Sequence, residues 1–218
     1  MKYPHDMGGE PGLGAVDWEV DEPIFHGEWE KRALALTVGM GFAGKWNLDI
    51  SRHSRERLPF DFYRSSSYYQ IWLAALQSLM IERGLVTAEE IKTGKMSVPA
   101  LPIKHLVTGG EMSAALAAGG PVSRDVDFSA NYKIGDEVRT LAVKPGDHTR
   151  LPGYLVGKSG KIASIHGCHV FPDSNSREEG ENPQWLYSVA FDARHVFGDA
   201  AEANSIMVDC WEPYLECV

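Results

Sequence analysis

The feature that most constrains this chain is a change of hydrophobic period near residue 128. From Tyr132 the residues alternate as Tyr132-Lys-Ile134-Gly-Asp-Glu-Val138-Arg-Thr-Leu141-Ala-Val143. Period 2 with Gly and Pro punctuation dictates antiparallel strands rather than helices. A turn at Lys144-Pro145-Gly146-Asp147 leads into His148-Thr-Arg150-Leu-Pro152-Gly-Tyr154, and further strands are predicted over 159–165, 185–191 and 205–211. An acidic loop over 175–182 and a helical turn over 192–198 separate the later strands. Short strands at this spacing predict a small SH3-like β-barrel over 128–218.

Upstream the period is helical. Trp29, Ala33, Leu36 and Met40 recur at helical spacing before Gly39 and Gly41 end the run. Asp49 is expected to cap a short helix that stops before Pro59, and Ser66 or Ser67 to cap a longer one that Gly84 ends. That longer helix carries Tyr68, Trp72, Ala75, Leu76, Leu79 and Met80 as one apolar stripe. Thr87-Ala-Glu-Glu90 spells a capping box. Residues 26–94 therefore read as a helical domain. Residues 95–127, rich in Pro, Gly, Ser and Ala, read as a linker with one weak helix near 112–118. Residues 1–25, broken by Gly and Pro, cannot build a core and read as an extended arm that Tyr3 and Trp18 lay on a partner's surface. The fold class is α+β.

Charge and composition exclude whole classes of function. A net charge of −9 argues against nucleic acid, whose phosphates need clustered Lys and Arg. No apolar run reaches the ~20 residues of a membrane span, and the first residues lack an apolar leader segment. Three cysteines, Cys168, Cys210 and Cys217, form no CxxC pair, which fits free thiols in a reducing cytoplasm.

Local motifs supply no self-sufficient catalyst. Gly153-Tyr-Leu-Val-Gly157-Lys158-Ser159 is one spacer short of a phosphate loop and enters a strand, so no helix terminus stands ready for an anion. In His166-Gly-Cys168-His169, strand alternation lets 166 and 168 converge, but no second cluster completes a tetrahedral metal site. No Ser/His/Asp or Cys/His set and no outstanding carboxylate pair is identifiable. Arg52 has Glu56 at i+4 and reads as a surface ion pair, while Arg150 reads as a fork holding loop carbonyls in a rigid turn.

Across nearly the whole chain, however, ordered motifs carry a resemblance. They run from His5-Asp6-x-Gly8-Gly9-x-x-Gly12-x-Gly14 through Asp21-Glu22-Pro23-x-Phe25, Glu28-Trp29-Glu30, Leu48-Asp49 with Arg52 and Glu56, and Ser67-Tyr68-Tyr69-x-x-Trp72. They continue through Gly135-Asp136-x-Val138-Arg139, His148-Thr-Arg150-x-Pro152-x-Tyr154, Gly157-Lys158-x-Gly160, His166-Gly167, Pro172-Asp173 and Leu186-Tyr187-x-Val189-x-Phe191 to Asp209-Cys-Trp211-Glu-Pro-Tyr214. In this order they resemble the β subunit of nitrile hydratase; residues 95–128 carry no match. Two positions depart from the family pattern. Tyr3 stands where the family begins with Gly, and Asp147 stands where Gly directly precedes the His of the His-Thr-Arg motif, which puts a carboxylate within reach of Arg150.

The resemblance implies a hydro-lyase that turns small nitriles into amides and is active only with an α subunit, as an αβ heterodimer or an α2β2 tetramer. It implies that this chain binds no cofactor itself, the non-haem iron or non-corrin cobalt being held by the α subunit on cysteines that are partly oxidised. Arg52 and Arg150 match the arginines that hydrogen-bond those oxidised sulfurs. Leu48, Tyr68 and Trp72 match the substrate-pocket wall. The related thiocyanate hydrolase subunit and a non-catalytic SH3-like adaptor are the alternatives. A metallochaperone fits less well, because such proteins are shorter and basic.

Overall fold

The computed structural model describes every residue except Met1, Lys2, Asp17, Lys104, Pro145 and Ala200. Pro145 of the expected turn thus lies outside the described residues. Two compact units emerge: Met1–His5 with Gly12–Gly120, and Asp6–Pro11 with Pro121–Val218.

The first unit is helical: α1 (Glu28–Phe42), α2 (Leu48–Glu56), α3 (Phe60–Ser65), α4 (Tyr68–Glu82), α5 (Ala88–Thr93) and α6 (Gly109–Ala118). Each boundary has a local chemical cause. Asn47, not Asp49, caps α2: its side chain accepts from Ile50 N at 2.9 Å. The helix therefore begins at Leu48, and Asp49 falls in its first turn, where a negative charge suits the positive end of the helix dipole. Gln70 accepts from Ser67 N at 2.8 Å to open α4. Gly84 closes it in the left-handed conformation (φ +66°), with Leu85 N returning to Met80 O at 2.8 Å. Thr87 and Glu90 form the capping box reciprocally, at 3.1 and 2.8 Å.

The apolar stripe of α4 divides along its length. Ala75, Leu76 and Leu79 are buried where α1 and α2 pack on it. Tyr68, the first residue of the helix, is 63% exposed and joins Tyr69 and Trp72 in an aromatic cluster with ring centroids 5.2–5.9 Å apart. Helical periodicity fixes a common face but not how far along it the neighbouring helices reach.

The second unit carries a six-stranded antiparallel sheet: β1 (Ser123–Arg124), β2 (Glu137–Thr140), β3 (Ser159–His169), β4 (Gln184–Asp192), β5 (Ser205–Trp211) and β6 (Leu215–Cys217). Its main path runs β5-β4-β3-β2-β6, with β1 on the far part of β3. Among the described residues the path has two ends, so an open sheet stands where the sequence suggests a closed barrel. The strand expected over 132–143 shortens to four residues. Gly135 takes φ +94°, and Lys133 N bonds the Asp136 side chain at 3.0 Å, which makes a turn of its first part. Two short helices interrupt the later strands, α7 (Pro172–Ser176) and α8 (Ala193–Phe197).

The core of this unit is Val138, Leu151, Leu155, Ile162, Tyr187, Val189, Phe191 and Tyr214 with their neighbours. Gly160 is dictated by close approach, since a Cβ there would stand 2.7 Å from Val189 Cγ1 and 2.8 Å from Ala190 O. Residues 6–11 belong here by specific bonds. Asp6 accepts from Gly153 N at 3.1 Å and from Lys144 Nζ at 2.5 Å. Gly8 lies so close to the Tyr154 ring that a Cβ would meet it at 2.5 Å.

Candidate functional site

On the helical unit a cavity of about 290 Å³ is lined by Thr37, Val38, Gly41 and Phe42 of α1, Trp46 and Asn47 ahead of α2, Leu48, Ser51 and Arg55 of α2, and Trp72 of α4. Its walls are chiefly apolar and aromatic, the usual make-up of a small-molecule site. Leu48 and Trp72, both expected to wall a substrate pocket, are brought together here. Tyr68 does not line the cavity but stacks on Trp72 at 5.2 Å from outside.

Arg55 is the lining residue that pattern reading passed over. Its guanidinium carbon stands 4.3 Å from the Trp72 ring centroid, a cation–π contact. Burial lowers its pKa, the neighbouring Arg52 charge adds to that, and Tyr68 and Glu56 oppose it. The only signal for it in the sequence is its place one turn beyond Ser51 on the face of α2 that also carries Leu48.

Arg52 projects from α2 with its side chain 43% exposed, and its NH1 meets Asp49 Oδ1 at 3.3 Å. The expected pairing with Glu56 is not what forms. Glu56 is buried, and His5 Nε2 approaches it at 3.9 Å. The pair joins a half-exposed guanidinium to the buried Asp49 carboxylate in the first turn of the helix.

On the sheet unit, Arg150 is exposed while its two predecessors, His148 and Thr149, are buried. Its main-chain N donates to Tyr214 Oη at 3.0 Å, and Tyr214 in turn donates to Asp173. Burial raises the Asp173 pKa. The Tyr214 hydrogen bond, the His148 charge and a Thr149 hydrogen bond pull it back. Pro172-Asp173 and Trp211-Glu-Pro-Tyr214 thus converge on the His-Thr-Arg turn and fix the backbone from which Arg150 projects. Asp147, which precedes the turn, sits at φ +66°, a region where glycine is at ease and aspartate is tolerated. Its charge helps raise the pKa of Arg177, whose hydrogen bond to Glu179 is the larger cause.

Two further constellations need the structure to be seen. His166 Nε2 contacts Ser188 Oγ at 2.7 Å and Asp209 Oδ1 at 3.5 Å, and Ser188 bonds Asp209 at 2.5 Å. Strand pairing assembles this set from β3, β4 and β5, with His166 and Asp209 exposed and Ser188 half-buried. Asp209 shares the same imidazole nitrogen as the serine instead of orienting the opposite one, so the set lacks the relay of a hydrolytic triad. His166 is exposed and Cys168 buried, with Gly167 at φ +88° and a register shift between them, so these two residues do not converge as simple alternation suggests.

Among the described residues, the cluster able to converge on a metal ion is Glu19, Glu22 and His26, all exposed. Two carboxylates and an imidazole are the wrong donors for a thiolate-ligated centre. Cys168 and Cys210 are buried, and burial pushes the Cys210 thiol up to about 12, so it stays protonated.

The family described as nitrile hydratase beta subunit, N-terminal, matches residues 1–116, and that described as nitrile hydratase beta subunit, C-terminal, matches residues 121–217. The low-molecular weight cobalt-containing nitrile hydratase subunit beta of Rhodococcus rhodochrous is 35% identical over 97% of both chains. The nitrile hydratase subunit beta of Pseudomonas putida is also 35% identical, over 97% of each chain. The cobalt-containing subunit beta of Pseudonocardia thermophila is 34% identical over 100% of this chain and 97% of its own. A thiocyanate hydrolase chain from Thiobacillus thioparus superposes on 51% of this chain, and 98% of its own, with a TM-score of 0.40 and 21% identity, too weakly to bear on the fold. With both halves matched and relatives covered almost end to end, the chain belongs to the nitrile hydratase beta subunit family.

Proposed function

We propose that this chain is the β subunit of a heteromeric nitrile hydratase, which adds water to R–C≡N to give the amide, and that it works only with an α subunit holding iron or cobalt. One observation carries the reading. Helix α2 presents Leu48 in the wall of an apolar cavity, Arg52 exposed one turn later, and Arg55 inside the cavity wall. We read this as a binding surface for an apolar nitrile and a projecting guanidinium carried on one rigid helix. A metal held by the α subunit would supply Lewis acidity toward the nitrile or its attacking water.

The chain's own residues bind, orient and exclude water. Arg52 and Arg150 are each read as donors to oxidised cysteine oxygens on the partner. A guanidinium stays charged and offers a planar fork, and a charge-assisted bond contributes ~1.5–3 kcal/mol. The Tyr214–Asp173 contact holds the Arg150 backbone for that task. Leu48 and Trp72 bury the R group, with Tyr68 backing Trp72. In the arm, Leu13, Val16, Trp18, Val20 and Ile24 are exposed, Val16 by 87%. We read this apolar run as the surface the α subunit covers in an αβ or α2β2 assembly in the cytoplasm. We read the sheet unit as an SH3-like module, and 1–25, 26–94, 95–127 and 128–218 as arm, helical domain, linker and sheet domain.

The test is substrate choice by the purified complex. Amide from a simple nitrile, with no turnover of thiocyanate, supports the reading. Turnover of thiocyanate alone would reassign the chain to the hydrolase, and no turnover of either would leave a binding module.

A further inference from the structure

The segment that carries Arg150 has little structure of its own. Among the described residues, 144–150 lies in no helix or strand, between β2 and β3. Such a loop keeps one conformation only through the contacts that its middle and its ends make. Tyr214 holds the middle, at Arg150 N. Both ends meet one side chain, that of Asp6. Its Oδ1 accepts from Gly153 N at 3.1 Å, and its Oδ2 accepts from Lys144 Nζ at 2.5 Å. The two oxygens of a single carboxylate thus join the residues that flank the His-Thr-Arg turn.

The chain around Asp6 is seated as closely. The Tyr154 and Phe197 rings stand 5.3 Å apart between centroids. A Cβ on Gly8 would lie 2.5 Å from the Tyr154 ring, and one on Gly9 would lie 3.3 Å from Phe197. A Cβ on Gly153 would lie 2.4 Å from Asp6 Oδ2, so glycine is required there to admit the carboxylate. The Asp6 and Lys144 side chains are only 13% and 20% exposed, which shields their charges from water and salt more than a surface pair.

We propose that Asp6 is a positioning residue for Arg150, its carboxylate clasping both ends of the loop that presents the guanidinium. The inference rests on the reading of Arg150 as a donor to the partner's oxidised cysteine oxygens. A fork of charge-assisted bonds is directional, and a small displacement of a positioned group lowers the rate steeply. Asp6 acts through the loop and not on the substrate.

The experiment uses the intact complex with its α subunit and a simple aliphatic nitrile, with kcat taken per assembled complex. Asp6→Ala opens both contacts and is expected to lower kcat about tenfold while KM stays within about twofold. Asp6→Asn keeps an acceptor for Gly153 N but offers no anionic oxygen to Lys144, and Lys144→Met removes the same contact from the other side. Each is expected to lower kcat about threefold. Because the two share one contact, the double variant is expected to fall no further than the worse single one. Hydrogen exchange reads the loop without turnover: the amides of 146–153 are expected to exchange about tenfold faster in Asp6→Ala.

A clasp that merely fastens the start of the chain would weaken folding or assembly and leave kcat per assembled complex unchanged. Unchanged kcat in both Asp6→Ala and Lys144→Met, with amide still formed, would therefore overturn the inference and leave the hydratase reading standing. Absence of amide from the unaltered complex would overturn the hydratase reading instead. Exchange over 146–153 then still decides the clasp, which equal rates in Asp6→Ala and the unaltered chain would overturn. Should Asp6→Ala fail to assemble, Lys144→Met, which leaves the Gly153 bond in place, carries the test alone.

Discussion

Tyr214 and Asp173, forty-one residues apart, share a hydrogen bond in the interior of the sheet unit, and the same tyrosine oxygen receives the main-chain N–H of Arg150. A buried phenol thereby links a buried carboxyl to the backbone of an exposed arginine. Burial raises the Tyr214 pKa far above the ordinary phenol value, and the Asp173 charge adds to it, so the hydroxyl keeps the proton it donates.

Tyr214→Phe removes both bonds at once. It should destabilise the chain by about 1–3 kcal/mol, because a buried carboxyl and an amide lose their partner. It should lower kcat for amide formation more than it raises KM, since Arg150 is mispositioned and the substrate cavity is untouched. Asp173→Asn, which retains an acceptor for the phenol, should cost less than Asp173→Ala in chemical denaturation.

Arg52→Lys separates the proposed role from the structural one. Lysine keeps the positive charge that faces the buried Asp49 carboxylate, so denaturation midpoints should shift only slightly. Lysine is a point charge without the planar fork, so amide formation should fall about 10- to 100-fold while the complex still elutes at its full size. A silent substitution would return Arg52 to the role of a surface charge.

Glu90 gives the helical unit a pH dependence of definite sign. Its carboxylate accepts main-chain N–H groups from Ser97 at 2.6 Å, Thr87 at 2.8 Å and Val98 at 3.1 Å, with Ser97 the largest cause of a pKa lowered from 4.5 to about 2. A depressed carboxyl stabilises fully above its unfolded value, and that stability is lost as pH falls through 4.5 toward about 2. Thermal melts at pH values across that range should therefore show a steeper acid loss for the native chain than for Glu90→Gln, which should be less stable at neutral pH.

Asp6 tests how the start of the chain is fastened. Asp6→Asn weakens the Lys144 contact yet can still accept from Gly153 N, whereas Gly153→Ala places a Cβ 2.4 Å from the Asp6 carboxylate oxygen and must displace it. Limited proteolysis within residues 6–11 should rise for both, and more for Gly153→Ala.

What the sequence revealed was what is local. The Thr87 box, the Gly84 stop, the helical turn before β5 and the alternation of β4 and β5 depend on neighbours a few residues away. Asn47 displaced Asp49 as the cap because either residue type can serve, and only the position where the chain turns decides between them. The cavity stayed hidden because Thr37, Ser51, Arg55 and Trp72 come from three helices whose packing no single period encodes. The His166–Ser188–Asp209 set needs the register of three strands. Arg52 and Arg150 were found through resemblance, since nothing in their local pattern separates a functional guanidinium from a solvated one.

The central claim, that this chain completes a metal-dependent hydratase, is tested most directly by purifying it through a tag from its own source and measuring what comes with it. The account predicts a stoichiometric Cys-rich partner, iron or cobalt bound to the complex, and conversion of nitrile to amide. A folded, metal-free chain recovered alone and without that activity would contradict it.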